Sequence, residues 1–210
     1  LLADQKTGML PEQARGEILT DIAAQLGEFS SLIGDLVQLS REDAPPPRPE
    51  IMDLADVVAR AVQRAKRRGP TMVFDVQTES QLVLGDSQAI ERSVTNLLDN
   101  AVKFSPSGGR ITVRMADETI TVADEGPGIS DEDLPHIFDR FYRSDQSRNT
   151  PGTGLGLSIV AHTVNSHGGW IKASRAPGGG ALFTMHLPTV DPDDVAGNES
   201  AGSESLLTSE

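Results

Sequence analysis

The stretch SQAIERSVTNLLDNAVKF, residues 87–104, carries apolar side chains at the spacing of a helix that buries one face. Two asparagines, Asn96 and Asn100, lie four residues apart and therefore on one side of that helix. Buried amides need hydrogen-bond partners, and amide oxygens are good ligands for a hard cation such as Mg²⁺. The pair therefore indicates a ligand-binding face, and the alternative is that both amides bond to neighbouring backbone.

Short strands and helices alternate on both sides of this helix. Two β-hairpins are predicted, one with its turn at 116–118 and one with its turn at 178–180, and these hairpins outnumber crossover connections. The pattern predicts an α+β fold, a two-layer α/β sandwich with a mixed sheet and helices on one face. The predicted strands are 72–76, 81–86, 110–115, 119–124, 170–176 and 181–187, and the further helices are 54–65, 131–138 and 157–164.

The flanking segments differ in composition from this unit, which spans residues 50–190. Residues 12–43 predict one long helix with the apolar seam of a bundle or coiled coil, and the alternative is an amphipathic helix that lies on its own domain. APPPRP at 44–49 predicts a stiff linker. The last segment, 191–210, has six acidic residues and no Lys or Arg, which is typical of a disordered tail. The seam of the long helix consists of Ile22, Leu26, Phe29, Ile33 and Leu36.

Composition excludes several classes of function. The net charge of −13 disfavours sequence-independent binding to nucleic acid, since phosphates would be repelled. The chain has no cysteine, which excludes disulfides and thiolate metal sites. No run approaches the roughly 20 apolar residues of a membrane span, so we expect no membrane contact by this chain.

Three further clusters indicate a nucleotide. PGTGLGLSIV, 151–160, opens a helix with bare backbone N–H groups, a setting that favours an anion such as phosphate, although a loop that binds nothing is the alternative. ADEGPGIS, 123–130, places a carboxylate beside glycines, which suits the exocyclic amine of adenine but also an ordinary acidic turn. IFDRFYR, 137–143, combines aromatic and basic residues as a mobile flap would, or as a helix end packed on the core.

In this order and spacing the four clusters resemble the N, G1, F and G2 boxes of bacterial two-component sensor histidine kinases, over roughly residues 84–187. The segment 1–43 is similar to the C-terminal part of that family's dimerisation and phosphotransfer hairpin. The resemblance implies the ATP-binding sandwich that type II topoisomerases and mismatch-repair ATPases share. It also implies transfer of the ATP γ-phosphoryl group to a histidine, with relay to an aspartate of a response regulator.

The resemblance also assigns site residues. It implies Mg²⁺ at Asn100 with Asn96 beside it, adenine at Asp124, and a γ-phosphate contact from Arg143. Lys103 would contact phosphate, and the glycine loop would wrap the phosphates. The implied binding set is Asn96, Asn100, Lys103, Phe104, Asp124, Gly126, Gly128, Ile129, Phe141, Tyr142, Arg143, Gly152, Thr153, Gly154, Leu155, Gly156 and Leu157.

Two details refine the expected chemistry. Hydrolytic members of the superfamily carry glutamate at the position of Asn96, as a general base, and an amide cannot take a proton at neutral pH. None of the four histidines, His136, His162, His167 and His186, lies in the family's phosphoacceptor motif, so we expect this chain to bind ATP without phosphorylating itself. The alternatives are a nucleotide-driven conformational ATPase and a non-catalytic dimerisation module.

The resemblance further implies a homodimeric full-length sensor of the bacterial inner membrane, with this chain in the cytoplasm.

Overall fold

The computed structural model describes residues 14–16, 18, 49–147, 150 and 152–191. The long helix predicted over 12–43, the linker at 44–49 and the acidic tail at 191–210 lie almost entirely outside these residues. The described part of the chain holds no helix that is both long and apolar enough to cross a bilayer.

The described elements alternate between strands and helices. The strands are β1 (Glu50–Asp53), β2 (Val73–Thr78), β3 (Leu82–Gly85), β4 (Arg110–Ala116), β5 (Thr119–Ala123), β6 (Trp170–Arg175) and β7 (Ala181–His186). The α-helices are α1 (Leu54–Arg68), α2 (Ser87–Phe104) and α3 (Gly156–Ser166), with a 3₁₀ turn at Asp145–Ser147.

Five strands form the mixed sheet that the sequence predicts, in the order β2-β4-β5-β7-β6. β2 and β4 run parallel and the other pairs are antiparallel. Both predicted hairpins are present, and the first turns through Asp117 and Glu118, whose φ angles of 49° and 61° make a two-residue type I′ connection.

A second, two-stranded sheet was not predicted. β1 pairs antiparallel with β3, so the strands predicted at 72–76 and 81–86 belong to different sheets. β1 has only four residues and runs directly into α1, where Asp53 accepts the N–H of Ala55. A strand this short shows too little alternation to stand out from the helix that follows it.

The helix predicted over 131–138 is wrong. The backbone there forms successive single turns, with N–H groups of Asp133 and His136 donating to the carbonyls three residues earlier. Pro135 lies in the middle of the segment and has no N–H to donate, so a continuous helical ladder cannot form. Ser130 stabilises the first turn, because its hydroxyl accepts the N–H of Asp133 at 3.1 Å.

The core lies between the five-stranded sheet and the three helices. Helix α2 is central and packs against both α1 and α3. Its Leu97 and Leu98 are fully buried. Alternate residues of β4, β5 and β7 complete the core, namely Ile111, Val113, Met115, Ile120, Val122, Phe183 and Met185.

Leu97→Ala should lower the free energy of unfolding by about 2–5 kcal/mol, because it leaves a cavity at a fully buried position. Urea unfolding followed by circular dichroism measures the change. Leu84→Ala, at a side chain that is 40% exposed, is the matched control and should cost much less. Equal losses in the two variants would contradict the central place of α2 in the core.

Candidate functional site

A cleft of about 350 Å³ lies between α2, the segment that follows β5 and the start of α3. It brings together residues from all four sequence clusters. The predicted residues that line it are Asn96, Asn100, Lys103, Phe104, Asp124, Gly128, Ile129, Tyr142, Arg143, Gly152, Thr153, Gly154, Gly156 and Leu157.

Three predicted residues do not line the cleft. Leu155 is fully buried, and the Phe141 side chain is 62% exposed. Phe141 nevertheless contributes its backbone, because its N–H donates to the Gly154 carbonyl at 3.0 Å. Gly126 matters through its size, since a methyl group there would lie 2.7 Å from the carbonyl oxygen of Phe104.

Asp124 is a buried carboxylate held by backbone. Its Oδ1 accepts the N–H of Gly126 at 2.8 Å and that of Ala181 at 3.0 Å. Both bonds go to one oxygen, so Oδ2 is the atom that can accept a hydrogen from a ligand. Burial raises the pKa of Asp124, and the two backbone N–H groups oppose the rise. The side chain is thus oriented by the fold before any ligand binds.

The wall near Asp124 is largely apolar. Ile129, Ile137, Leu157 and Phe183 line the cleft with Phe104. A planar ring with one polar edge fits such a surface, since its faces contact apolar side chains while its edge reaches the carboxylate.

The α2 side of the cleft carries the polar groups. Asn96 donates through Nδ2 to the Gly156 carbonyl at 3.2 Å and so connects α2 to the start of α3. This amide is partly satisfied by backbone, as the alternative interpretation allowed. Asn100 and Lys103 also line the cleft, and Lys103 Nζ lies 4.9 Å from the ring centre of Phe104. No three His, Cys, Asp or Glu side chains of the described residues group together as metal ligands, so a cation here would depend on amide oxygens and on the ligand's own phosphates.

The glycine loop enters α3 in a conformation that requires glycine. Gly152 and Gly154 have φ angles of 149° and 73°. A methyl group at Gly154 would lie 2.7 Å from the carbonyl carbon of Phe141. The capping residue of α3, Leu155, makes no side-chain hydrogen bond to the first turn, so backbone N–H groups at this helix start are open to an anion.

The segment between Ser130 and Ser147 covers one side of the cleft. Tyr142 donates its hydroxyl to Asp133 at 2.6 Å. The guanidinium of Arg143 donates to the carbonyls of Ser147 and Thr150. Arg143 therefore lies at the cleft but is bonded to the end of this segment and to Thr150 beyond it, which stabilises its present conformation.

Some lining residues were not predicted. Asp99 lies next to Asn100, pairs with Arg68, and has a raised pKa because burial outweighs that pairing. Neither it nor the β7 residues carries a local sequence signal, because the fold brings them to the cleft. The full set missed is Asp99, Pro127, Asp133, Ile137, Ser144, Ser147, Ala181 and Phe183.

Comparison with known proteins decides the family. Residues 85–191 match the model of the histidine kinase-, DNA gyrase B- and HSP90-like ATPases. The chain belongs to this family. The match includes α2, the Asp124 turn, the glycine loop and the last two strands, which are the parts that build the cleft.

The relatives narrow the assignment to bacterial two-component sensor histidine kinases, as the sequence motifs predicted. The chain is 44% identical to the signal transduction histidine-protein kinase/phosphatase MprB of Mycolicibacterium smegmatis, over 96% of this chain and 43% of the relative. The MprB protein of Mycobacterium leprae is 42% identical, over 80% of this chain and 34% of the relative. The chain thus spans less than half the length of these relatives.

Solved structures agree with the fold. A mycobacterial sensor histidine kinase MprB superposes with a TM-score of 0.63 at 38% identity, covering 67% of this chain and 98% of that one. The ATP binding domain of PrrB from Mycobacterium tuberculosis superposes with a TM-score of 0.57 at 24% identity, covering 69% and 100%. The two-layer sandwich predicted from the sequence is therefore confirmed, and the chain carries the ATP-binding catalytic domain of a sensor histidine kinase.

Proposed function

We propose that this chain positions ATP for transfer of its γ-phosphoryl group to a histidine on a dimerisation hairpin, for relay to a response regulator aspartate. One observation carries the proposal. A single cleft joins a buried carboxylate suited to adenine, an asparagine pair suited to a cation, and a glycine loop at a helix start.

The adenine end is assigned to Asp124. Its free oxygen accepts the exocyclic amine, while the apolar wall formed by Ile129, Leu157 and Phe183 contacts the ring. Gly128, whose φ is 78°, lets the backbone turn close to the base.

The phosphate end is assigned to the glycine loop and to α2. Backbone N–H groups near Gly154 and Gly156 and the ammonium of Lys103 offset the phosphate charge. Asn100, with Asn96 beside it, would hold Mg²⁺ through amide oxygens, and this ion neutralises charge on the phosphates when bound. Arg143 would reach the γ-phosphate once its bonds to Ser147 and Thr150 are released.

Asn96 favours transfer over hydrolysis. The amide donates to the Gly156 carbonyl and has no proton-accepting group to activate water. Catalysis therefore depends on positioning and charge stabilisation, and the nucleophile comes from elsewhere. A conformational ATPase and a purely structural module are the alternatives, and a cleft lined by residues of all four sequence clusters speaks against the second.

The described histidines do not supply that nucleophile. His136 pairs with Asp139 on the exposed segment, and His167 bonds backbone of α3 and of Asp86. None of the four lines the cleft. We therefore propose that the acceptor histidine lies on the other helix of the hairpin, in a homodimeric sensor of the inner membrane whose cytoplasmic part includes this chain.

Calorimetry and phosphate release test the proposal together. The chain should bind a non-hydrolysable ATP analogue, more tightly with Mg²⁺ than with EDTA. It should release no free phosphate from ATP at a steady rate. Sustained release would favour the conformational ATPase, and no binding at all would favour the structural module.

Gly154→Ala should weaken ATP binding by about 10-fold or more, because the added methyl group collides with Phe141 backbone at a φ that L-residues rarely adopt. The matched control is Gly108→Ala, which has a φ of 81° and open space around it. The control adds comparable backbone strain outside the cleft and should leave the affinity unchanged. Equal affinities in the two variants would contradict the phosphate role of the loop.

A further inference from the structure

The solvent-exposed side of α1 is strongly basic towards the end of the helix. Its last nine residues, Arg60–Arg68, hold five of the chain's 18 basic residues and no acid. We call these five the basic face of α1, and all are exposed: Arg60, Arg64, Lys66, Arg67 and Arg68.

Two carboxylates of α2 offset only part of this charge. Glu91 is shared, because it pairs with Arg60 at 2.7 Å and with Arg64 at 3.0 Å. Asp99 pairs with Arg68. Positive charge therefore remains in excess on the basic face, in a protein whose net charge is −13.

The C-terminal segment has the complementary charge and begins close by. Residues 191–210 contain six acids and no base. The Val190 N–H donates to the Leu82 carbonyl at 2.9 Å. The adjacent Gln81 carbonyl accepts the N–H of Leu54, the first residue of α1. The chain therefore enters the acidic segment beside the start of α1.

The distances allow contact. Helix α1 has 15 residues, or roughly 22 Å at 1.5 Å per residue. The 19 residues from 192 to 210 can span up to about 60 Å when extended. Every position of the basic face is thus within reach of the acidic segment.

We propose that the acidic segment 191–210 docks on the basic face of α1 of its own chain. Tethering gives the segment a high effective concentration at this face. A free polyanion has no such advantage and is repelled by the net negative charge of the protein. The contact is electrostatic, and it weakens as salt shortens the screening length from about 30 Å at 0.01 M to about 3 Å at 1 M.

Paramagnetic NMR tests the proposal. The chain has no cysteine, so Ser205→Cys introduces a single site for a spin label. At low salt the label should broaden amide signals of residues 60–68, with the label reduced by ascorbate as the diamagnetic reference. The broadening should disappear at high salt.

Charge reversal supplies the matched comparison. Lys66→Glu with Arg67→Glu should abolish the broadening, whereas Lys172→Glu with Arg175→Glu, a reversal of equal charge on exposed β6 residues, should preserve it. The proposal is overturned if the label does not broaden α1 signals, or if the Lys66 and Arg67 reversal leaves the broadening intact. It is also overturned if broadening arises only between spin-labelled and separately ¹⁵N-labelled copies. The last result would show that the segment binds another molecule.

Discussion

Asp124→Asn should lower the affinity for ATP by about 10- to 100-fold, the loss expected when a hydrogen bond to a charged group is removed. The two backbone N–H groups fix Oδ1 as an acceptor, so an asparagine would keep its oxygen there. Its Nδ2 would then face the adenine amine, donor against donor. Because Oδ1 still accepts from Gly126 and Ala181, the fold is retained.

The same geometry predicts a change in specificity. Guanine has a carbonyl where adenine has its amine, so the amide of the variant can donate to it. Asp124→Asn should therefore narrow or invert the preference for ATP over GTP in calorimetric titrations. Unchanged ATP affinity in the variant would mean that adenine does not bind at Asp124.

The raised pKa of Asp124 adds a dependence on pH. Because burial favours the protonated form, the carboxyl takes up its proton at a higher pH than an ordinary aspartate. ATP affinity of the wild type should thus fall as pH decreases towards this raised pKa, and it should be fully present above it. Asp124→Asn has no such group. The ratio of wild-type affinity to variant affinity should therefore decrease on acidification, and titration of ATP itself cancels in this ratio.

Asn100→Ala should lower phosphoryl transfer by about 100-fold or more, since loss even of a residue that only supports a metal ligand costs 10- to 100-fold. Asn100 is the amide of α2 that the proposal places on Mg²⁺, and Asn96 is already bonded to the glycine loop. The variant should bind ATP with nearly the same affinity in Mg²⁺ as in EDTA.

Asn165→Ala is the matched control for this change. Asn165 is an exposed amide near the end of α3 and lies outside the cleft. Both changes are made in a version of the chain extended to include the whole hairpin, and transfer from labelled ATP to that protein separates loss of the metal ligand from loss of helix stability. If Asn100→Ala retained its Mg²⁺-dependent affinity, Asn100 would not be the metal ligand.

Much of the fold could be predicted because its signals are local. The spacing of apolar residues in α2 and the strict alternation in β4 and β5 each express burial of one face. The predictions failed for two kinds of segment. β1 is too short to show a period, and the apparent helix over 131–138 is interrupted by Pro135 and forms single turns instead. β3 and α2 lie between β2 and β4 in the chain. The pairing of β2 with β4 therefore joins residues far apart in the sequence and has no local signal.

The site residues also divide into those with a local sequence signal and those without one. Asp124 and the glycines of the loop lie in contiguous motifs, so their residue types indicated the chemistry that we propose. Phe183 and Asp99 were missed because the first reaches the cleft through sheet pairing and the second is an acid beside a more informative asparagine. Phe141 was expected at the ligand, but its side chain is largely exposed, and its backbone N–H donates to the carbonyl of Gly154 in the glycine loop.

The most direct test of the central claim is the chemical stability of transferred phosphate. This chain, Mg²⁺ and γ-labelled ATP would be mixed with a version extended at its amino terminus to include the whole hairpin, in which Asn100→Ala and Gly154→Ala together disable the ATP site. We predict that label appears on the extended protein and is lost in acid but retained in base, as a phosphoramidate of histidine is. Label that remains in acid, or free phosphate without labelled protein, would contradict transfer to histidine.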